Sequence, residues 1–424
     1  MAKRCLIVTY YFPPLGGGGV QRMTKLSKFL DRNGWQVTVI TADEPGTHIE
    51  EDPTLLEEIP ESVRVVRIEG NIPGGRWTGR KKGERDQASY YKRWLSAFLF
   101  VPDIRRGWIH PARQAVLKEL KQNEADCILV SSPPYSLAIL AKELTRQTDV
   151  PVVLDMRDPW TVNPYKIYPT PMHKILDERI ERRSISQVKY GVSVCKSILQ
   201  LYQTRIANFN PENWRYIPNG YDEEDFDHLQ AKQNAQGTFN LAFSGTFYSH
   251  INNPRDLFRA FAILKEKDRA LFQKFRFHHI GKTNIDLLNL AKKFNVEEQI
   301  VLHGYLPHRE ALTVLSGMDG LSIILDSRLP KSKYAIGSKL YEYLRLRKPI
   351  LALLPKNSEA AETILQADAG VVAQGTEHER IALILKNWME NRSSFSYTGI
   401  EQFDRQRQAQ SFMDFFEEII QRDK

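Results

Sequence analysis

Cysteine is scarce in this chain: its 424 residues hold three, Cys5, Cys127 and Cys195. So odd and scattered a set excludes the paired framework of a small disulfide-held secreted domain. Two of the three lie in apolar runs that read as strands, so buried free thiols in a reducing cytosol are expected. Long apolar runs are missing too. Stretches such as AFLFV (97–101) and ILALL (350–354) are far too short to span a bilayer. The basic start MAKRCLIVTYYF has no small-residue cleavage site and runs into prolines, so it reads as a first strand and not a signal peptide. No sequence repeat of fixed short period is present. What remains, 42% hydrophobic and 26% charged, describes an ordinary soluble globular protein. Its length favours two or three domains.

The formal charge of +8 is unevenly spread. Residues 76–106 hold nine Lys/Arg (Arg76, Arg80, Lys81, Lys82, Arg85, Lys92, Arg93, Arg105, Arg106) against Glu84, Asp86 and Asp103, a local excess of +6. Such localisation asks for an anionic partner at one place. Within it Tyr90, Tyr91, Trp94, Leu95, Phe98 and Leu99 recur at helical spacing, and Pro102 stops the run. A basic, aromatic amphipathic helix suits anionic lipid headgroups, so Lys92, Arg93 and Trp94, with Trp108 beyond, are expected on the acceptor or membrane side. An ordinary core helix beside a solvated basic loop shows the same stripe. No nucleic-acid partner is expected.

Short β-branched runs alternate with longer periodic segments. CLIVTYY, QVTVITA, VRVVRI, CILVSS and VVLDMR read as strands, with helices at 20–32 and 112–122 between some of them. After about residue 205 the rhythm restarts with FNLAFSGT, FRFHHIG, IVLHGYL, GLSIIL and PILALLP. Alternation of this kind argues for parallel sheets covered by helices. The fold class is therefore α/β, with two tandem Rossmann-like, doubly wound domains. The expected boundaries are 1–208 for the first domain, 209–398 for the second, and 399–424 for a helix packing back on the first. In that last segment Phe412, Phe415, Phe416 and Ile419 crowd one side.

YYFPPLGGGGV (10–20) follows the first strand and opens the first helix, where open α/β sheets bind ligands. A helix N-terminus offers unpaired N–H groups to an anion, and glycine lets that anion approach the backbone. The dinucleotide register G-x-G-x-x-G is absent, and no Lys-Ser/Thr follows as in a P-loop. A flexible turn at a tight corner fits the loop equally well by itself. In KSKYAIGSKLYEYLRLRKPILALLP (331–355), Gly337, Ser338 and Lys339 stand at a helix start with Glu342 one turn on. A cation and open amides there can hold a diphosphate, and Glu342 can accept hydrogen bonds from ribose hydroxyls. A plain helix-dipole glutamate is the alternative for Glu342.

Taken in order, YYFPPLGGGGVQR, PDIRRGWIHPA, SSPPYS, DMRDPW, IPNGYDEEDF, FSGTFYS, HGYLPHREAL and SKLYEYLRLRKPILAL resemble the retaining family 4 glycosyltransferases of GT-B fold that build bacterial surface polysaccharides. The resemblance covers nearly the whole chain. It implies a nucleoside diphosphate sugar as donor, a glycan or lipid-linked acceptor, and retention at the anomeric carbon. Gly17, Gly18 and Gly19 would border the donor diphosphate or the acceptor in an interdomain cleft, with Arg157 and Asp158 facing it from a strand end. Asn219 and Gly220 would lie at the start of the second domain. Gly245 and Thr246 would lie under the phosphates, Lys339 would neutralise them, and Glu342 would hold the ribose. Lys339, Arg157 and Asp158 are the expected catalytic groups.

The chain departs from the family pattern at three points. Tyr334 stands where the first of two glutamates is usual, Thr246 replaces an arginine, and a nearby lysine is replaced within HINNPRD. Lys339 must then carry more of the leaving-group charge, with Arg157 or Arg255 as helpers. No D-x-D pair is well placed after a strand, so neither a catalytic metal nor any other cofactor is expected. A location in the cytoplasm, peripheral at the inner face of the membrane, follows from the resemblance. The alternatives are a nucleotide-sugar epimerase of the same architecture and an inactive nucleotide-sugar-binding scaffold.

Overall fold

The structure, a computed structural model, describes residues 2–43, 51–69, 86–227, 229, 237–391 and 393–423. Seven parallel strands form the first sheet: β1 (Arg4–Thr9), β2 (Gln36–Ala42), β3 (Arg64–Ile68), β4 (Cys127–Ser132), β5 (Val152–Met156), β6 (Tyr190–Ser193) and β7 (Trp214–Tyr216), in the order β3-β2-β1-β4-β5-β6-β7. The central strands are buried along nearly their whole length, as expected where helices cover both faces of a parallel sheet. Cys5 pairs in register with Cys127, and all three thiols are free and buried.

Six parallel strands form the second sheet: β8 (Phe239–Ser244), β9 (Phe275–Ile280), β10 (Ile300–Gly304), β11 (Gly320–Ile324), β12 (Ile350–Leu353) and β13 (Gly370–Ala373), in the order β10-β9-β8-β11-β12-β13. Its core is strongly aromatic, with Phe258, Phe261, Phe275 and Phe277 in mutual contact.

Two compact units result: Met1–Asn219 with Arg405–Lys424, and Gly220–Asp404. The first runs past residue 208 because β7 joins the first sheet beside β6. Gly191 makes this possible, since a Cβ there would lie 2.5 Å from the Trp214 indole. The returning segment starts at Arg405 and not at 399, because Ile400–Phe403 stays with the second unit, where Phe403 packs on Tyr341. The Arg405–Arg422 helix buries Phe412, Phe415, Phe416 and Ile419 in the first unit's core, with Trp35 at 5.8 Å from Phe416.

In each sheet the chain reverses direction of winding at its first strand, β1 beside β4 and β8 beside β11. Open α/β sheets bind ligands outside the carboxyl ends of strands at such switch points. The glycine loop follows β1, and Gly245 follows β8.

Candidate active site

In the first unit the loop after β1 ends at Gly17, which has a φ of 98°. A side chain would strain that backbone, and glycine does not. Gly17 opens the helix Gly18–Arg32, and no side chain caps it. Arg157 reaches over this start from the end of β5. A Cβ on Gly19 would lie 2.1 Å from Arg157 Nη1, so this glycine is small to make room for a guanidinium. Arg157 Nη2 donates to the Pro133 carbonyl at 2.6 Å. Burial, offset by Asp155 and Asp158, pulls the Arg157 pKa down. Burial likewise pushes the neighbouring Asp158 carboxyl up to about 6.

Beneath these groups Arg22, absent from the expected site, makes a buried ion pair with Asp155. Its Nη2 and Nε donate to the two carboxylate oxygens at 3.0 and 3.3 Å. Arg22 also donates to the carbonyls of Ile217 and Pro218 and to Asn219 Oδ1, tying Asn219 to the first helix. Ser131 Oγ donates to Asp155 at 2.9 Å. The only signal in the sequence is an arginine three positions after the last glycine.

Trp108 is not on an acceptor or membrane surface. It is 1% exposed, stacks edge-on against Tyr10 at 5.2 Å, and its indole N–H donates to the Ile68 carbonyl. An amphipathic residue with its polar atom satisfied inside belongs to the core. The Asp86–Leu99 helix does form, with Tyr91, Phe98 and Leu99 exposed and Trp94 half-buried between Tyr91 and Phe98. Arg93 is exposed and donates to the Tyr165 carbonyl. Arg76, Arg80, Lys81, Lys82, Arg85 and the side chain of Lys92 lie outside the described residues.

In the second unit Gly245 ends β8 with a φ of 148°. Its carbonyl accepts from His279 Nε2 at 2.9 Å. The Lys339–Leu346 helix starts after Gly337 and Ser338, and points Lys339 back at this strand end. Lys339 Nζ donates to Ser244 Oγ at 3.0 Å and would meet a Cβ on Gly245 at 3.5 Å. Burial lowers the Lys339 pKa to about 8, with Glu342 working against the shift. Glu342, one turn on, is buried, and its Oε1 accepts from His308 Nε2 at 3.0 Å. His308 stands inside HGYLPHREAL but looks in sequence like any lone histidine.

The departures from the family pattern have structural fillings. Asn252 fastens the loop after β8, accepting from the Tyr248 amide and donating to the Thr246 carbonyl. Arg255 is exposed at a helix start, and Tyr334 lies in a short 3-10 turn with Lys333 over its ring.

Residues 16–225 match Glycosyltransferase Family 4, and residues 225–402 match Glycosyl transferases group 1. The chain belongs to the family 4-type GT-B glycosyltransferases. No curated protein matches the transferase in sequence. Among solved structures it is similar to WaaG, a glycosyltransferase involved in lipopolysaccharide biosynthesis, at 15% identity, 98% coverage of both chains and a TM-score of 0.57. It is also similar to a sucrose-phosphate synthase from Thermosynechococcus elongatus, at 10% identity, 98% and 99% coverage and a TM-score of 0.66. A third likeness is an E. coli trehalose-6-phosphate structure bound with UDP-2-fluoro glucose, at 12% identity, 98% and 99% coverage and a TM-score of 0.64. At these identities the likeness concerns the fold. Among the described residues of the transferase, no helix is long and apolar enough to cross a membrane.

Proposed function

We propose that the transferase moves a sugar from a nucleoside diphosphate sugar to a hydroxyl of a glycan or lipid-linked acceptor, with retention, in envelope polysaccharide assembly. The observation that carries this reading is the Lys339 ammonium held over Ser244 and Gly245 at the end of β8, one turn from Glu342. The anomeric C–O bond breaks and its electron pair leaves with the nucleoside diphosphate. The acceptor oxygen bonds to the same carbon, and its proton passes to the departing phosphate. Electrostatic stabilisation of that phosphate is then the main task. Lys339, the helix start at Gly337–Lys339 and the Gly245–Thr246 backbone suit it, and no metal or other cofactor is assigned a part. UDP-2-fluoro glucose in one structural neighbour and the lipopolysaccharide role of WaaG support the donor class and the envelope setting. A donor screen reading slow release of nucleoside diphosphate tests the reading. Tight binding without any release would point to a binding scaffold.

Glu342→Ala is expected to raise the KM for donor about tenfold or more. A charged acceptor facing hydroxyls contributes about 1.5–3 kcal/mol, and the variant also strands the His308 N–H. Unchanged donor affinity by calorimetry would put the nucleoside elsewhere.

We further assign the Asp86–Leu99 helix to an anionic membrane surface. Exposed Met172, Ile175 and Leu176 extend its apolar face, since Phe98 packs on His173 at 4.9 Å. Each cation near a charged surface contributes about 1 kcal/mol. Changing Lys81, Lys82, Lys92 and Arg93 together to Ser should therefore release the protein from anionic liposomes in flotation. Equal binding to neutral and anionic vesicles, before and after mutation, would overturn the assignment.

A further inference from the structure

The diphosphate site proposed above uses groups of the second unit alone. The first unit has a separate set of donors, most of them without an acceptor among its described residues. The Gly18–Arg32 helix is fifteen residues long and has no side-chain cap, so the Gly18 and Gly19 amides head its open end. Over them sits Arg157, only 6% exposed. Its Nε is buried without a partner. Among the described residues Nη1, the nitrogen over Gly19, makes no hydrogen bond, and Nη2 alone is used, on Pro133.

Carboxylates are close and offset part of the effect of burial, but among the described residues none pairs with it directly. Asp155 is taken by both Arg22 and Ser131. Asp158 makes no ion pair with Arg157 among the described residues, and burial holds its carboxyl toward the neutral form. A guanidinium with a nitrogen buried and idle costs free energy that an incoming anion would recover. Glycine at 19 lets the guanidinium sit against the helix start, so that Nη1 and the Gly19 amide stand side by side.

We propose that Arg157 and the Gly18 and Gly19 amides bind an anionic group, phosphate or carboxylate, on the acceptor. The transferase then takes a charged sugar or sugar-phosphate acceptor and discriminates against its neutral counterpart. This rests on the glycosyltransferase reading and on Lys339 serving the donor. The acceptor is the source the geometry favours, because the donor diphosphate already has a cation and open amides of its own. The rival source, the donor's diphosphate itself, is separated by the test.

The full chain is titrated by calorimetry with inorganic phosphate, glucose 6-phosphate, glucose and UDP. Wild type should bind glucose 6-phosphate at least about tenfold more tightly than glucose, the range a charge-assisted hydrogen bond supplies. Arg157→Gln should abolish that preference and the phosphate binding, and leave UDP affinity within about threefold. Lys339→Ala should do the reverse. Gly19→Ala should act like Arg157→Gln, because its methyl drives the guanidinium off the loop. It also carries the test should Arg157→Gln fail to fold, as circular dichroism would reveal. Phosphate and glucose 6-phosphate that fail to bind wild type, or bind Arg157→Gln undiminished, would overturn the proposal. So would a loss of UDP affinity in Arg157→Gln equal to the loss of phosphate. Failure of UDP to bind wild type would instead break the donor reading, a result distinct from either.

Discussion

Lys339→Ala is expected to lower kcat by about a hundredfold or more, corresponding to roughly 3 kcal/mol of transition-state stabilisation. Thr246 and the Asn252–Asn253 pair stand where the family resemblance implies positive charge, and Asn252 is committed to fastening its loop. On the proposed reading the leaving phosphate depends on the Lys339 ammonium aimed at the end of β8. Away from bulk water that charge acts more strongly than it would at a surface. Glutamine at 339 should rescue little, since it keeps size without charge. The same burial makes the effect dependent on pH. Lys339 loses its proton as pH rises through about 8 in the free enzyme, not near 10.5 as an exposed lysine would. Donor kcat/KM should accordingly fall above about pH 8, and that limb should vanish in Lys339→Ala. Steady-state kinetics across pH with the cognate donor checks both statements. Full activity in the alanine variant would move the phosphate charge to another cation, Arg157 first.

Arg22→Met should destabilise the first unit by about 3–5 kcal/mol, the usual consequence of removing one partner of a buried ion pair. Arg22 and Asp155 side chains are 2% and 0% exposed, so water cannot replace the lost guanidinium. Three backbone or amide oxygens at Ile217, Pro218 and Asn219 lose their donor at the same time. A fall of about 10 °C in the melting transition of that unit is expected. Arg22→Met combined with Asp155→Leu should recover much of the loss, because the stranded carboxylate is then gone. Arg22→Met melting together with wild type would mean that the pair contributes nothing net.

Lys339 and Glu342 were legible in the sequence because both lie within four residues of one another at a recognisable helix start. Gly17 and Gly245 were legible because a glycine at a strand end has few other uses, and both adopt positive φ. Trp108 was misplaced for a physical reason. It follows a basic segment, but its indole turns inward to Tyr10 and Ile68, which are distant in sequence. β7 was hidden because three residues, Trp-Arg-Tyr, carry no periodic pattern.

By itself the sequence determined the alternation of short β-branched runs and amphipathic helices, hence two parallel doubly wound sheets, and the glycines and Lys339 at strand and helix ends. These are local matters, set by side-chain periodicity and by backbone freedom within a few residues. Only the tertiary structure decided which distant groups meet. Arg157 lies over Gly19, Arg22 is paired with Asp155, His308 is on Glu342, and the final helix returns to the first unit's core. Each of these contacts joins positions far apart in the chain, where no local pattern constrains the partner. Burial then gives them their chemistry, since an ammonium withdrawn from water finds an anion or surrenders its proton, and a guanidinium, which keeps its charge, needs acceptors.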